Sequence, residues 1–202
     1  MQAGQNALQW SAHPEAIRLL TKGLELLMTL PETSERIQHE LALQATLGTT
    51  LTVTKGYAAI EVQHAHERAF VLCQQMGDSP QLFPVLAGLW GFRFLRAELY
   101  RAKELAAQLF RLAQSIADSA LLVWAHTVQG LTLSTLGELP AALKHLEEGI
   151  ALYDPQLHRP DRTRVGAQDP KMTCLSYAAW TLWRLGYPDQ ARKRVDEALT
   201  LV

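Results

Sequence analysis

The residues that could do chemistry in this sequence are a few histidines and cysteines, and their spacing keeps them apart. His64 and His66 stand two positions apart in QHAHERA, beside Glu61 and Glu67. On a helix, residues i and i+2 point in different directions, so the two imidazoles cannot share one metal ion. The sequence also contains no H-x-x-x-H or C-x-x-C pair. The pattern is typical of a solvated helix face, and we predict no metal site.

The two cysteines are poorly placed for catalysis. Cys73 follows His66 by seven residues, which is too far for direct activation within one helix, and a long loop separates Cys174 from His158. A cysteine nucleophile needs a base within hydrogen-bond reach. Phosphate-binding loops of the G-x-x-x-x-G-K-[ST] or G-x-G-x-x-G type do not occur. The sequence therefore predicts a non-catalytic chain without a cofactor, in which both cysteines are small buried residues of a reducing compartment.

The overall composition is that of an ordinary folded chain. Of the 202 residues, 48% are hydrophobic, and the formal net charge is −1. This charge gives no general attraction to nucleic acid or to an anionic membrane. The N-terminus, MQAGQNALQW, lacks the basic and apolar regions of a signal peptide, and no apolar run approaches the roughly 18 residues of a membrane span. We predict a cytoplasmic protein with neither nucleic acid nor membrane as partner.

One stretch, RFLRAELYRAKELAAQLFR at 93–111, is locally basic. It also carries glutamates at distances that allow helical pairs, such as Arg101 with Glu104. A nucleic-acid surface usually interleaves aromatic and basic residues, and this stretch does not. The sequence favours a solvated helix face here over a patch for an acidic peptide or nucleic acid.

Apolar residues recur at three- and four-residue steps almost throughout, which predicts helices. In AALKHLEEGIAL, for example, Ala142, Leu146 and Ile150 share one face, and Lys144 and Glu147 lie on the other. TLTVTKGY is the segment closest to a strand, but it continues the helical pattern before it. Breakers separate about ten helices; they are Pro31, Gly56, the segment 77–80, Asp118, Gly137, Gly186 and the segment 155–170. The chain is predicted to be all-α.

The helices repeat as pairs. Small residues open the second helix of each pair, and these residues lie 46, 40, 40 and 49 positions apart: Ala16, Val62, Ala102, Ala142 and Ala191. The positions seven residues later are usually small as well: Gly23, Ala69, Leu109, Gly149 and Ala198. Small residues at fixed places let backbones approach at fixed places, as stacked helical hairpins require. The alternative is an irregular helical bundle with accidental similarity.

Two segments carry a family resemblance. The residues that carry it are Gly130, Gly137, Leu139, Ala142, Leu146, Gly149 and Pro155, and again Ala179, Leu182, Gly186, Ala191, Val195 and Ala198. They resemble the signature positions of the tetratricopeptide repeat (TPR), although the period near 40 exceeds the usual length of about 34. This period resembles the longer variant in the bacterial maltose-regulon activator. Arg93, at a normally aromatic place, and Val62, at a place usually Ala, depart from the pattern.

The phrases ALYDPQ, CLSYAAWTLWRLGYPDQA and KGYAAIEV are also similar to the C-terminal repeat region of large bacterial proteins that join a nucleotide cyclase or kinase domain to a P-loop ATPase. The resemblance implies a right-handed α-solenoid of about five helical hairpins. We expect a single repeat domain over 1–202, a fragment of a larger protein. The expected repeats are 1–30, 34–77, 80–117, 119–154 and 170–202, with an inserted loop at 155–169 made basic by His158, Arg159, Arg162 and Arg164.

The resemblance also implies a binding surface, because the first helix of each pair lines the concave face in this family. Transferring the groove positions gives Phe94, Trp124, Thr127, Ser134, Ser176, Trp180 and Trp183. Trp180 and Trp183 are three residues apart and would form one aromatic platform, with Ser176 and Arg184 at its edge. The alternative is that these rings fill gaps between helical layers.

The predicted function is that of a protein-interaction scaffold, whose partner is a protein, a peptide or another domain of its own parent chain. In a signalling ATPase or cyclase it would be the sensing or autoinhibitory arm. Dimerisation through exposed terminal repeats is also expected. The alternative is a sensor of a small ligand such as a sugar, because the maltose activator's repeats bind a sugar.

Overall fold

The computed structural model of the chain describes residues 13–77, 80–156 and 169–201, and over these residues it contains helices and no strand. The prediction of an all-α chain is confirmed. No helix in these ranges is both long enough and apolar enough to cross a membrane. The chain divides into two compact units, Met1–Glu98 and Leu99–Val202.

The first unit contains four helices within its described residues. They are α1 (His13–Leu27), α2 (Ser34–Lys55), α3 (Ile60–Met76) and α4 (Leu82–Leu95). Each packs against the next, and α2 also touches α4. The start of α2 follows from its sequence, because the Thr33 hydroxyl accepts a hydrogen bond of 3.2 Å from the Arg36 amide.

Leucines and small residues fill the core of this unit. One cluster joins α1, α2 and α3 through Leu20, Leu43, Leu47, Leu51, Val62 and Ala65. A second cluster joins α2, α3 and α4 through Leu41, Ala69, Leu72, Cys73 and Val85. Val62 and Ala69 are completely buried. The valine that departs from the usual alanine of the repeat is therefore accommodated in the core.

The strand-like segment TLTVTKGY is helical as far as Lys55. Its threonines satisfy their hydroxyls within the helix, because each donates to the carbonyl oxygen four residues earlier. Thr50 donates to Thr46 at 2.7 Å, and Thr52 donates to Gly48 at 2.8 Å. The hydroxyls are thus satisfied inside the helix, and the burial of Leu51 in the core cluster with α3 favours the helix despite the β-branched residues.

The second unit contains five helices within its described residues. They are α5 (Leu99–Ile116), α6 (Ser119–Leu136), α7 (Leu139–Leu152), α8 (Pro170–Arg184) and α9 (Pro188–Leu199). Consecutive helices pack together, and α8 also packs against α6. The predicted loop residues His158, Arg159, Arg162 and Arg164 lie outside the described residues.

The two Leu-Gly turns of this unit have the same conformation. Gly137 and Gly186 adopt φ angles of +86° and +88°, and each follows the last turn of a helix. The amide after each glycine donates to a carbonyl five residues earlier at 2.9 Å, from Glu138 to Leu133 and from Tyr187 to Leu182. The repeated Leu-Gly motif therefore encodes a repeated left-handed helix end.

Ala97 is expected to be a weak point of the first unit, and Ala97→Gly should stabilise it by about 1 kcal/mol. Ala97 has a φ of +58°, and the Glu98 amide donates to the Arg93 carbonyl at 2.9 Å, as in the two glycine turns. Alanine pays a steric cost in this region that glycine avoids. Urea unfolding of the variant measures the gain. Gly137→Ala is the reciprocal control and should destabilise; a loss of stability in Ala97→Gly would contradict this account.

Close helix contacts hold the second unit together. A methyl group at Gly130 would lie 2.5 Å from Leu146, so α6 and α7 meet at this glycine. One at Gly149 would lie 3.0 Å from the sulfur of Cys174, where α8 meets α7. The sequence alignment placed small residues at both positions. Glycine is needed here for close approach, not for an unusual backbone angle.

Candidate functional site

Two tryptophans on α8 are the largest exposed aromatic side chains of the second unit's last helix pair. Trp180 is 71% exposed and Trp183 is 68% exposed. The opposite side of α8 is buried through Cys174, Ala178 and Leu182. Exposure of two indoles on one face of a helix is costly in water and is typical of a surface that meets a partner.

These tryptophans line an open groove of about 540 Å³ between α8 and α9. Its floor consists of small and aliphatic residues, and its rim carries one charge of each sign. The lining residues are Ala179, Trp180, Trp183, Pro188, Asp189, Ala191, Arg192 and Val195. The Tyr177 ring packs against the Trp180 ring at an interplanar angle of 64°, with 6.0 Å between the ring centroids. It extends the aromatic surface along α8.

The preceding helix pair, α6 and α7, has an equivalent groove that is filled. In the repeat alignment that pairs Ala142 with Ala191, Ser134 of α6 corresponds to Trp183 of α8. The Ser134 hydroxyl lies 2.9 Å from the Thr181 hydroxyl of α8, and Ser134 is 2% exposed. The first helix of the following pair therefore occupies this groove, whereas the equivalent groove between α8 and α9 is open.

Thr127 and Ser134, which the resemblance placed on a binding surface, are buried. The Thr127 hydroxyl donates to the Val123 carbonyl at 2.9 Å and lies 3.1 Å from the Cys174 sulfur. Both side chains stand between α6 and α8, where the Thr127 hydroxyl contacts Cys174 and the Ser134 hydroxyl contacts Thr181 in a closely packed arrangement. Burial makes these two residues unavailable to a partner and corrects that part of the prediction.

The remaining predicted site residues of the second unit do not all lie on the face of α8 that carries the two tryptophans. Ser176 shares the exposed face of Trp180, but its hydroxyl donates to the Met172 carbonyl at 2.8 Å. The Arg184 guanidinium donates to the Ser134 carbonyl at 2.7 Å, so it points toward α6. Trp124 is half-buried. The aromatic platform is therefore formed by Trp180 and Trp183, with Arg184 turned away from its edge.

Phe94 belongs to the first unit and is half-buried. Its ring stacks on Trp90 with a centroid distance of 5.1 Å and an interplanar angle of 25°. Trp90 itself is 8% exposed, so this pair packs into the unit. The Trp90 ring therefore fills a gap between the helices of this unit.

Two of the basic residues between 93 and 111, Arg93 and Lys103, donate hydrogen bonds to carboxylates. Arg93 is bound on both sides, because its guanidinium donates to Glu98 and to Glu67, each at 2.8 Å. Lys103 donates to Glu138 at 2.6 Å. An arginine at a normally aromatic place of the repeat thus holds α3 to the end of α4 by charge.

His66 was predicted to lie on a solvated helix face, but its side chain is buried and only 2% exposed. His64, two residues away, is exposed as expected. His66 follows the small residue Val62 by four positions, and the corresponding residues Leu20 and Leu146 are core leucines. The repeat alignment, rather than the His-x-His spacing, was the sequence signal for its position.

A cluster of His126, His145 and Glu148 lies between α6 and α7, and sequence reasoning missed it. The Nδ1 atoms of the two histidines are 3.2 Å apart, and Nδ1 of His126 is 3.4 Å from a Glu148 carboxylate oxygen. One ligand atom from each residue lies within 4.8 Å of the others. His145 and Glu148 are three residues apart on α7, a sequence signal for a shared face, but only folding brings His126 to them.

The environment of the cluster favours the neutral form of its imidazoles by lowering the pKa of both. Burial lowers the pKa of His126, and the neighbouring His145 lowers it further, while Glu148 acts in the opposite direction. Burial also lowers the pKa of His145, against the opposing effect of Glu148. The Phe110 ring stands edge-on to both imidazoles, at 4.9 and 5.3 Å between centroids. Neutral imidazoles beside a carboxylate are a donor set that suits a divalent metal ion.

Both cysteines are buried and free. Burial raises the pKa of the Cys174 thiol to about 12. A thiol with this pKa is protonated at neutral pH and is a poor nucleophile. Cys174 contacts Thr127 and Gly149, and so has a packing role between α6, α7 and α8.

Comparison with known proteins places the fold. No family model matches the chain. An uncharacterized protein of Rhizobium meliloti (strain 1021) is 26% identical over 190 residues, which cover 91% of this chain and 18% of that protein. The chain therefore spans less than a fifth of the length of this curated relative.

Solved structures resemble the chain closely in backbone and little in sequence. The apo form of RapI matches with a TM-score of 0.79 and 12% identity over 97% of this chain and 66% of that chain. Nearly identical TPR-like repeats of a protein described as a Podospora anserina kinesin light chain match with a TM-score of 0.72 and 13% identity, covering 98% of this chain and 91% of that chain. The chain has a TPR-like helical-repeat fold. TPR-like repeats typically act as non-catalytic scaffolds that offer extended surfaces to protein partners.

Proposed function

We propose that this TPR-like chain binds an α-helix, of a protein partner or of another part of its own parent chain, in the groove between α8 and α9. One observation carries the proposal. The equivalent groove between α6 and α7 holds a helix, α8, whereas Trp180 and Trp183 line an open groove one pair later. A surface whose preceding copy receives a helix is shaped to receive another.

The lining of the groove defines the chemistry of that helix. Ala179 and Ala191 form a shallow floor, and the two indoles form an apolar wall. Asp189 and Arg192 provide one negative and one positive charge at the rim. The partner helix should carry an apolar stripe at i, i+3, i+4 and i+7 spacing, flanked by charged residues of both signs.

Replacement of both tryptophans should abolish capture of this partner. We expect Trp180→Ala/Trp183→Ala to weaken binding at least about 30-fold, because buried tryptophans at interfaces contribute about 2 kcal/mol or more. The test is a pull-down from the source lysate, followed by cross-linking to locate the contact segment. A synthetic peptide of that segment is then titrated against purified wild-type and variant protein. Tyr100→Ala, which removes an aromatic residue that is 79% exposed elsewhere, is the matched control.

The same variants distinguish other occupants of the groove. Equal peptide binding by wild type and the double variant would contradict the proposal. A wild-type dimer that becomes monomeric in the variant, measured by sedimentation, would assign the groove to a second copy of the chain. Quenching of the wild-type tryptophan fluorescence by a sugar panel, absent in the variant, would instead support the small-ligand alternative, since exposed indoles can stack on a sugar ring.

We further propose that this module is the sensing or autoinhibitory arm of a larger cytoplasmic signalling protein. The proposal is supported by the resemblance to the long-period repeats of bacterial signalling ATPases and cyclases. The much greater length of the Rhizobium meliloti relative also favours it. Two buried free thiols are in keeping with a reducing compartment. If the arm is regulatory, the tryptophan variant should change the activity of the longer protein without unfolding it.

A further inference from the structure

We propose that His126, His145 and Glu148 form a binding site for a single divalent transition-metal ion, with Zn²⁺ as the preferred ion. The site is separate from the tryptophan groove, and the sequence-based expectation was that the chain holds no metal. The inference does not depend on the proposed function.

Two of the three distances between the donor atoms match the edges of a small coordination polyhedron, and all three donor atoms lie within 4.8 Å of one another. A tetrahedral zinc ion with ligand bonds of about 2.0–2.1 Å separates its ligand atoms by about 3.3–3.4 Å. The two Nδ1 atoms are 3.2 Å apart, and Nδ1 of His126 lies 3.4 Å from Glu148. An ion at this point would require only small movements of side chains already in place.

The two helices hold the donors rigidly. His126 is 6% exposed and lies on α6, where a methyl group at Gly149 of α7 would lie 3.3 Å from its Cβ atom. His145 and Glu148 lie one turn apart on α7, so a rigid helix fixes their separation. The Phe110 ring of α5 packs nearly perpendicular to both imidazoles, so an apolar side chain adjoins one side of the cluster. Such support is what a metal site needs to bind with the donors pre-positioned.

The opposite side of the cluster is accessible. The Glu148 side chain is 44% exposed, which gives an ion a route of entry. Three protein ligands also leave a fourth position for water or for a ligand atom of a partner. When the ion binds, the imidazole that donates in the Nδ1–Nδ1 contact transfers its proton from Nδ1 to Nε2, so both rings present a lone pair. Two neutral imidazoles and one carboxylate favour zinc over magnesium or calcium, which prefer oxygen ligands.

The test uses untagged protein, because a polyhistidine tag would bind the same ions. After removal of metal with a chelator, Zn²⁺ is titrated by calorimetry, and Co²⁺ is added to record the visible absorption of a tetrahedral site. We expect one site per chain and a rise in the melting temperature with zinc. His145→Asn and Glu148→Gln, at half-buried positions on α7, should each weaken binding at least about tenfold and abolish the melting-temperature shift.

The chain contains a matched control for these variants. His39 and Glu35 form an exposed pair at 3.7 Å on α2, and His39→Gln/Glu35→Gln should leave zinc binding unchanged. Circular dichroism verifies that each variant is folded. Absence of a one-site isotherm in the wild type would overturn the proposal. Wild-type affinity in both His145→Asn and Glu148→Gln would do the same, and the cluster would then be a hydrogen-bonded histidine pair packed under Phe110.

Discussion

Gly88→Ala is expected to destabilise the first unit by about 2–3 kcal/mol, although alanine is the better helix former. A methyl group at position 88 would overlap the ring of His66. The ring cannot move away, because on its other side a methyl group at Gly48 would lie only 2.7–3.0 Å from it. His66 lies on α3, and its ring fills the space between Gly48 of α2 and Gly88 of α4.

A double-mutant cycle tests this arrangement. In the wild-type background, urea unfolding should show that Gly88→Ala lowers the free energy of unfolding by the full expected amount. In a His66→Ala background, which already lacks the ring, Gly88→Ala should be neutral or stabilising, because the new methyl group enters the space that the ring has left. Gly23→Ala is the matched control: its methyl group would lie 3.3 Å from Leu43, and we expect a change near zero. Equal losses in both backgrounds would show that the ring is not the obstacle.

Acidification is expected to destabilise the first unit through His66 alone by about 3 kcal/mol between pH 6.5 and 4. Burial lowers the pKa of His66 from 6.5 to about 4. Within the described residues, neither ring nitrogen has a hydrogen-bond partner. In this pH range the unfolded chain binds a proton that the folded chain does not, so the stability falls as the pH falls. Below about pH 4 both states are protonated, and this contribution no longer changes.

The pH dependence of the wild-type stability must be compared with that of a variant that lacks the His66 imidazole. Urea unfolding at several pH values between 4 and 7 should give a steeper loss for the wild type than for His66→Leu. The difference between the two curves isolates the imidazole, since the carboxylates titrate in both proteins. His64→Gln, an exposed neighbour on the same helix, should retain the wild-type slope. Parallel curves for the wild type and His66→Leu would contradict the assigned pKa.

The cluster of His126, His145 and Glu148 combines one local pair of residues with one residue that is distant in the sequence. His145 and Glu148 lie one turn apart, and a search for short ligand motifs could have noted them. His126 is 19 residues earlier in the chain, and no local rule links it to them. The local His-x-His pattern of QHAHERA consists of His64, which is exposed, and His66, which is buried. Contacts between helices, not distances along the chain, assemble the donor set.

The sequence by itself determined the all-α class and the turns, because both depend on local interactions. Apolar periodicity defines a buried face within a few residues. Gly137 and Gly186 each allow the left-handed backbone conformation that ends the preceding helix. The tertiary structure decided which residues of the first helices meet a partner. Ser134 and Trp183 occupy equivalent places, but α8 covers Ser134, whereas no helix among the described residues covers Trp183. Whether a helix face is core or binding surface depends on the neighbour that packs against it, and that neighbour is specified by residues distant in the chain.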